Sequence, residues 1–254
     1  MTDSHADTVL LLGGTGRTGG RVLQQLLGRG VSVRAVVRSA ERLPADVADD
    51  PRLTVVVADL LSLSDAQVKE QVEGCDTVIS CLGHTASAQG MFGSPRDLVC
   101  RSVERVCRAA RDLRPAQPVK LVLMSSVSVH RPGGLDTRRG GFEKAVVWTM
   151  RGILPPARDN QCAADFLGEA VGTTDPYLQW VAVRPDSLKD GDVTEYALHE
   201  GLMDSLFRPG QTNMANVAHF MCELATDAAV WAAWQGKLPV IVNAAKLSPA
   251  SPPR

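Results

Sequence analysis

The stretch Thr8–Val22 reads TVLLLGGTGRTGGRV. An apolar run, Val9–Leu12, breaks into glycines at positions 13, 16 and 19. The pattern then changes period, with Val22, Leu23, Leu26 and Leu27 falling on one helical face. A short continuous apolar run giving way to period 3.6 across a glycine loop predicts strand, tight turn and helix. Each glycine has its own task in that arrangement. Gly13 takes the turn, Gly16 lets a diphosphate approach the backbone, and Gly19 allows the helix to pack close to the strand. The helix then offers open N–H groups and the positive end of its dipole to an anion. Thr15, Arg17 and Thr18 lie inside the same loop and are candidate contacts for it.

Working outward, the same alternation repeats. Further strands are expected at Val31–Val37, Thr54–Ala58, Thr77–Cys81, Val119–Met124 and Trp180–Val183, most of them continuous apolar runs. Such runs suit strands buried on both faces of a parallel sheet. Helices are expected at Thr18–Leu27, Ser64–Val72, Pro95–Arg111 and around Asn216–Ala225. On the third of these, Arg101, Arg105, Arg108 and Arg111 form a basic face that reads as solvated, with anion binding as the alternative. The β-α-β rhythm predicts an α/β chain, a Rossmann-type doubly wound parallel sheet in a single domain over residues 1–254. Two segments depart from it. Residues 131–160, rich in Gly, Pro and Arg yet carrying Phe142, Trp148 and Met150, read as a substrate-side insertion or as a plain surface insertion. Residues 186–245 read as a small C-terminal substrate-binding extension, followed by the tail SPASPPR.

The chain has 254 residues and a formal net charge of −1. Near-neutrality argues against nucleic acid and membrane surfaces as partners. No apolar run approaches the roughly 20 residues of a membrane span, and the start MTDSHADTV lacks the pattern of a secretory leader. A cytoplasmic protein is the expectation, with its oligomeric state open and a monomer acceptable. Cys75, Cys81, Cys100, Cys107, Cys162 and Cys222 form no C-x-x-C pair and read as small buried hydrophobes. No metal site is expected.

The second strand selects the cofactor. An acidic residue at its end would bind the ribose hydroxyls of NAD. Here the segment reads AVVRSAERL, with Arg38 at that place and Arg42 one turn on. Guanidinium groups suit a 2′-phosphate, so NADP(H) is the expected cofactor, with Arg17 as a third candidate. Asp59 and Leu60, after VVVADL, should flank the adenine. Cys81, Leu82 and Gly83, from SCLGH, should pass beside the ribose. His84 reads as a donor to substrate or phosphate, or as an ordinary loop histidine.

Taken together, GGTGRTG, VVRSAERL, VVVADL, VISCLG and LVLMSSVS resemble the short-chain dehydrogenase/reductase superfamily in its atypical, NmrA-like branch. VAVRPDSL and NVAHFMCELATD resemble the biliverdin-IXβ/flavin reductase pattern. Actinobacterial antibiotic-pathway polyketide ketoreductases lacking the Ser-Tyr-Lys triad belong to the same branch. Ser125 and Ser126 end the fifth strand at the ligand edge, and Pro185, Asp186 and Ser187 end the sixth and should flank the nicotinamide. The resemblance implies Ser126 as the active-site serine, either donating to the substrate oxygen or holding the cofactor carboxamide. Ser187 stands where the biliverdin-type pattern has histidine. His84, Trp148, Asp186 and Ser187 are the candidate substrate contacts. His130 is a further pocket candidate.

Most of the superfamily protonates its product through Tyr-x-x-x-Lys, and that motif is missing. Tyr177 is followed at the fourth place by Val181, and Tyr196 by Glu200. The helix expected to carry the motif reads ARDNQCAADFL and offers Asp159, Asn160 and Gln161. A positioned general acid is worth about 10²–10⁴-fold in rate. Its absence implies an acceptor that needs little help with the proton, a planar conjugated or aromatic carbonyl. The expectation is an NADPH-dependent ketoreductase acting on a planar aromatic small molecule. A flavin or biliverdin-type reductase and a non-catalytic NADP(H) sensor are the alternatives.

Overall fold

The computed structural model describes residues 8–84, 93–130, 136, 146, 149, 154–202 and 210–244. Six parallel strands make up the body of the sheet: β1 (Thr8–Leu12), β2 (Ser32–Val37), β3 (Leu53–Val57), β4 (Thr77–Ser80), β5 (Val119–Met124) and β6 (Leu178–Pro185). Their spatial order is β3-β2-β1-β4-β5-β6, the doubly wound order in which the chain starts at the centre and reverses beside β1. Every strand read from the sequence is present, with ends displaced by two residues at most.

Helices cover both faces: α1 (Arg17–Gly28), α2 (Asp65–Val72), α3 (Leu98–Leu113), α4 (Pro155–Asp165), α5 (Met214–Thr226) and the short α6 (Ala228–Trp234). The strands alternate between the two cores. Leu10, Leu12, Leu121 and Leu123 pack with α2, α3 and α4, while Val9, Leu11, Val33 and Val122 pack with α1 and α5. Both sides of the central strands are therefore apolar, which is why those runs read as continuous rather than alternating, while the edge strand β3 leaves Thr54 and Val57 exposed. Ser64 accepts from the Gln67 amide and Gln67 returns a bond to Ser64, a capping box that starts α2. Helix α4 runs on into a π-helical turn, Phe166–Val171.

Three expectations change here. The C-terminal region is built into the sheet rather than appended to it. Strand β10 (Val240–Asn243) pairs parallel with β6, and β8 (Tyr196–His199) pairs antiparallel with β10. Only β7 (Ser187–Lys189) and β9 (Gln211–Asn213) form a separate two-stranded sheet. The basic face of α3 is not merely solvated. Arg105 donates to the carbonyls of Leu60 and Leu63 at 2.6 and 2.5 Å, and Arg111 bonds Asp175 at 2.8 Å and the Ala170 carbonyl at 2.9 Å. These guanidinium groups fasten α3 to its neighbours because they reach carbonyl ends that helices and turns leave unpaired. Finally, Cys100 and Cys162 are joined in a disulfide across α3 and α4, their Cα atoms 5.7 Å apart. The other four cysteines are buried and free, as read from the sequence. A separation of 62 residues gave no hint of the pairing; the packing of the two helices creates it.

Of the insertion, Phe142, Trp148 and Met150 lie outside the described residues. Asp136 lies within them and is fully buried against Arg184, with 2.8 Å between Nη1 and Oδ2. Arg184 sits in β6 and also donates to the carbonyls of Leu238, Val129 and Glu200. Asp136 in turn accepts from the Leu202 amide. One buried ion pair thus ties Asp136 to β6.

Candidate functional site

The strand registers bring the loops that matter onto one edge. Leu12 lies opposite Val36 and Ser80, Ser80 opposite Leu123, and Met124 opposite Val183. The residues that follow, Gly13, Arg38, Cys81 and Ser125, therefore leave the sheet on its carboxyl side, at the reversal point between β1 and β4 where open α/β sheets bind ligands.

The glycine loop is as tight as its sequence suggests. Gly13 has φ +79°, and a Cβ there would stand 2.7 Å from both the carbonyl carbon and oxygen of Cys81. At Gly19 a Cβ would fall on the Gly13 carbonyl oxygen and 3.2 Å from the Cys81 Cβ. Gly16 is the N-cap of α1 and donates to the Gly13 carbonyl at 3.0 Å. It brings no side chain to the cap, and the first turn of α1 holds no acidic residue. The opening N–H groups of the helix are left for an anion.

A cleft opens over this loop. Its floor is Gly13, Thr15 and Gly16, its β2 side Arg38 and Arg42, its β3 side Asp59 and Leu60, and its β4 side Cys81, Leu82 and Gly83. Pro95 and Leu98 close it from the start of α3. Ten residues expected at the cofactor thus meet in one cleft. Arg38 and Arg42 are both exposed, and neither has a carboxylate partner among the described residues. Asp59 accepts from the Leu61 amide at 3.0 Å through Oδ1. A second depression adjoins the cleft, lined by Arg17, Arg21, Gln24 and again Arg42. Thr18 and Gly19 are buried beneath it.

Arg17 differs from its expected role. Its Nη2 lies 2.5 Å from Asp190 Oδ2, and Arg21 holds the other oxygen of the same carboxylate at 3.0 Å. Asp190 follows β7, so a strap from the C-terminal region crosses the glycine helix. Nothing in the local sequence around Arg17 points to that partner.

The β4 side holds a densely hydrogen-bonded polar group. His84 Nε2 is 2.8 Å from Asp159 Oδ2. The same oxygen accepts from the Val99 amide at 2.8 Å, and Oδ1 accepts from the Cys100 amide at 2.9 Å. Three donors converge on one fully buried carboxylate, and the imidazole is only 5% exposed. A carboxylate in this setting accepts, so Nε2 carries the proton. Asp159 comes from α4, the helix where a catalytic tyrosine was sought.

At the end of β5, the Ser125 amide bonds the Val183 carbonyl at 2.7 Å, while its buried Oγ has no hydrogen-bond partner among the described residues. Ser126 is half-buried, and its Oγ accepts from the Ser128 amide at 3.2 Å. Its own proton is free to be given to an oxygen in front of the strand end. Pro185 is buried at the end of β6. Asp186 is occupied structurally, accepting from the Ser187 and Gly210 amides. Ser187 is exposed. His130 stands 3.8 Å from Asp136 and donates its amide to Gln161. Of the tyrosines, Tyr177 precedes β6 on the opposite edge of the sheet. The Tyr196 hydroxyl is spent on His219 at 2.9 Å, and burial pushes its pKa up to about 12.

A dinucleotide fits what is present among the described residues: an uncapped helix start, glycines at 13 and 19 with no room for a Cβ, a buried hydroxyl without a partner, and two guanidinium groups without a carboxylate. Among the described residues the one grouping with metal-like spacing is Cys100, Glu104 and Cys162, two of whose sulfurs are bonded to each other. No helix among the described residues is long and apolar enough to cross a membrane.

Comparison with known proteins agrees with this geometry. A family model described as NAD(P)H-binding matches residues 13–228. A short-chain dehydrogenase/reductase from Veillonella parvula, solved in complex with NADP, is 15% identical with a TM-score of 0.66, over 94% of this chain and 95% of that one. ChuY, an anaerobillin reductase from Escherichia coli O157:H7, is 20% identical with a TM-score of 0.64, over 96% and 100%. At such identities these likenesses establish the fold. An uncharacterized chloroplastic protein of Arabidopsis thaliana is 37% identical over 75 residues, which is 30% of this chain and only 27% of that protein.

Proposed function

This chain belongs to the NAD(P)H-binding family, and from that premise we propose that it is an NADPH-dependent reductase of a planar, conjugated carbonyl compound. The observation that carries the reading is the makeup of α4. Where the superfamily keeps its acid, this helix has Asp159, sunk beneath the surface and committed to His84 and two amides. A conjugated acceptor spreads the negative charge of reduction over its ring system and takes its proton from water.

When bound, NADPH supplies the hydride. The chain's own residues bind and orient. The α1 amides take the diphosphate, and Arg38 and Arg42 take the 2′-phosphate. The Ser125 hydroxyl fits a cofactor amide. Ser126 donates to the carbonyl oxygen of the acceptor, holding the two planes in register, which is where most of the rate arises when no strong acid is available. His84 acts through Asp159, fixing the β4 wall of the cleft against the start of α3.

A second reading, a flavin or bilin-type reductase, is supported by the name of ChuY and shares the planar acceptor. An antibiotic-pathway polyketide is one substrate source compatible with the first reading. A panel decides among them: NADPH oxidation with fused-ring aromatic ketones and quinones, flavins, biliverdin and simple aliphatic ketones. Aromatic ketones should turn over fastest, and Ser126→Ala should cost about 10²-fold in kcat. Faster turnover of aliphatic ketones defeats the proposal, and no turnover with intact NADPH binding favours a sensor.

A further inference from the structure

We propose that Cys100 and Cys162 are a reversible thiol–disulfide pair, a modification site joining α3 to α4 two residues beyond the cleft-lining Leu98, that exchanges with low-molecular-weight thiols. As regulation of the same site it rests, for any effect on turnover, on the reductase reading. The pair itself stands on separate observations.

The cysteines divide sharply by chemistry. Cys75, Cys81, Cys107 and Cys222 are buried, and burial pushes all four thiols up, to about 11 for Cys75 and about 12 for Cys107 and Cys222. They hold their protons at neutral pH and are poor nucleophiles. Cys162, by contrast, is an exposed residue of α4, while its partner Cys100 is buried at the start of α3. The bridge is approachable from its Cys162 side and sheltered on its Cys100 side, so exchange enters at Cys162.

The chemistry balances simply. A thiolate from a molecule such as glutathione attacks the Cys162 sulfur, the bond between the two cysteines breaks, and Cys100 leaves and takes a proton. Glu104 Oε1 lies 3.7 Å from the Cys100 sulfur and is placed to accept from the resulting S–H. A second thiol attacks the outer sulfur of the mixed disulfide, releasing the small-molecule disulfide and leaving Cys162 as a thiol. Two thiols are oxidised and one protein disulfide is reduced.

The location gives this exchange a consequence. Asp159 and Cys162 lie one turn apart on α4. Asp159 accepts from the amide of Cys100 itself, and Leu98, two residues earlier, lines the cleft. The covalent bridge and the Asp159 carboxylate thus fasten the same two helices at the same place, in parallel. Opening the bridge leaves the Asp159 bonds to hold that wall alone, and the cofactor then meets a looser β4 and α3 side.

The test uses the full chain equilibrated in glutathione buffers of graded redox ratio, quenched with acid, alkylated and mapped by mass spectrometry, with NADPH affinity measured in parallel. We expect a linked Cys100–Cys162 peptide under oxidising conditions, its full opening without denaturant, and no modification of the other four cysteines. NADPH binding should weaken on reduction by about fivefold, the lower end of typical coupling between linked sites, and recover on reoxidation. Cys162→Ser should bind weakly at every ratio. Absence of the linked peptide, a bridge that opens only in denaturant, or equal affinity in both states overturns the proposal. Redox-dependent binding without NADPH oxidation would leave the switch standing and remove the reductase.

Discussion

Replacing Arg38 with alanine should weaken NADPH binding while leaving NADH almost untouched. Arg38 leaves β2 at the sheet edge, and Arg42 closes the short 3₁₀ turn Ala40–Arg42 that follows, so both guanidinium groups reach one corner of the cleft. Both are exposed, which sets the size of the effect. A hydrogen bond to a charged group is worth about 1.5–3 kcal/mol, and solvent screening of exposed groups argues for the lower end. At about 1.4 kcal/mol per decade, Arg38→Ala then costs roughly tenfold in NADPH affinity. The double variant Arg38→Ala/Arg42→Ala costs on the order of 100-fold if the two act independently. NADH has no 2′-phosphate and should change less than about twofold by the same arithmetic. Salt supplies an independent check. Because the Debye length shrinks from about 30 Å at 0.01 M to about 10 Å at 0.1 M, NADPH affinity of the parent should fall with ionic strength, and that slope should flatten in the double variant. Calorimetric titration of both cofactors at two salt concentrations reads all of this. Equal losses for NADPH and NADH would mean that the arginines shape the loop rather than grip a phosphate, and no loss for either would refute the assignment of the cofactor corner.

Two further outcomes follow from buried groups. Asp136→Ala strands the fully buried Arg184 charge and should destabilise the protein by about 3–5 kcal/mol; denaturant unfolding measures it, and Asp136→Ala/Arg184→Met should recover a substantial part. In the folded protein at pH 8, iodoacetamide should leave Cys75, Cys107 and Cys222 unmodified. Their folded-state pKa values, about 11, 12 and 12, keep them protonated at that pH, and labelling should appear only when denaturant exposes them or pH rises toward those values; mass spectrometry of the labelled peptides counts them.

The fold was legible because its signals are local. The run Thr8–Leu12, the glycine spacing and the leucine face of α1 lie side by side in the chain, and each constrains its neighbour. The cofactor cleft was legible for a related reason. In a parallel sheet every strand end lies on one edge, so a residue's place relative to its own strand nearly fixes its place in the cleft. Arg38, Asp59 and Cys81 follow three different strands, yet all line the same opening. Locality failed where a strand carries something it should not. Arg184 interrupts the apolar run VAVRP, and a charge inside a buried strand requires a partner. The expected strand stopped at Val183, one residue short of Arg184, so neither the buried charge nor its partner Asp136 was read from the sequence.

The chemistry beyond the cofactor was hidden for a physical reason as well. His84 meets Asp159 across 75 residues, Cys100 meets Cys162 across 62, and Arg17 meets Asp190 across 173. Each pair joins segments that follow different strands and that only the packed helices bring together. Two of the three pairs converge on one place, the contact of α3 with α4. That convergence gives the absent tyrosine a structural sense. A tyrosine at this helix would need to face the acceptor and keep its hydroxyl available, but the Asp159 carboxylate turns inward and uses its oxygens on His84 and the two α3 amides. The helix that elsewhere delivers a proton serves here as a brace for the cofactor wall. A brace can be tightened by a covalent bond, whereas a proton donor needs freedom to reach its substrate. Under the proposed function, the disulfide beside Asp159 goes with a positioning role for α4 and with an acceptor that takes its proton from water.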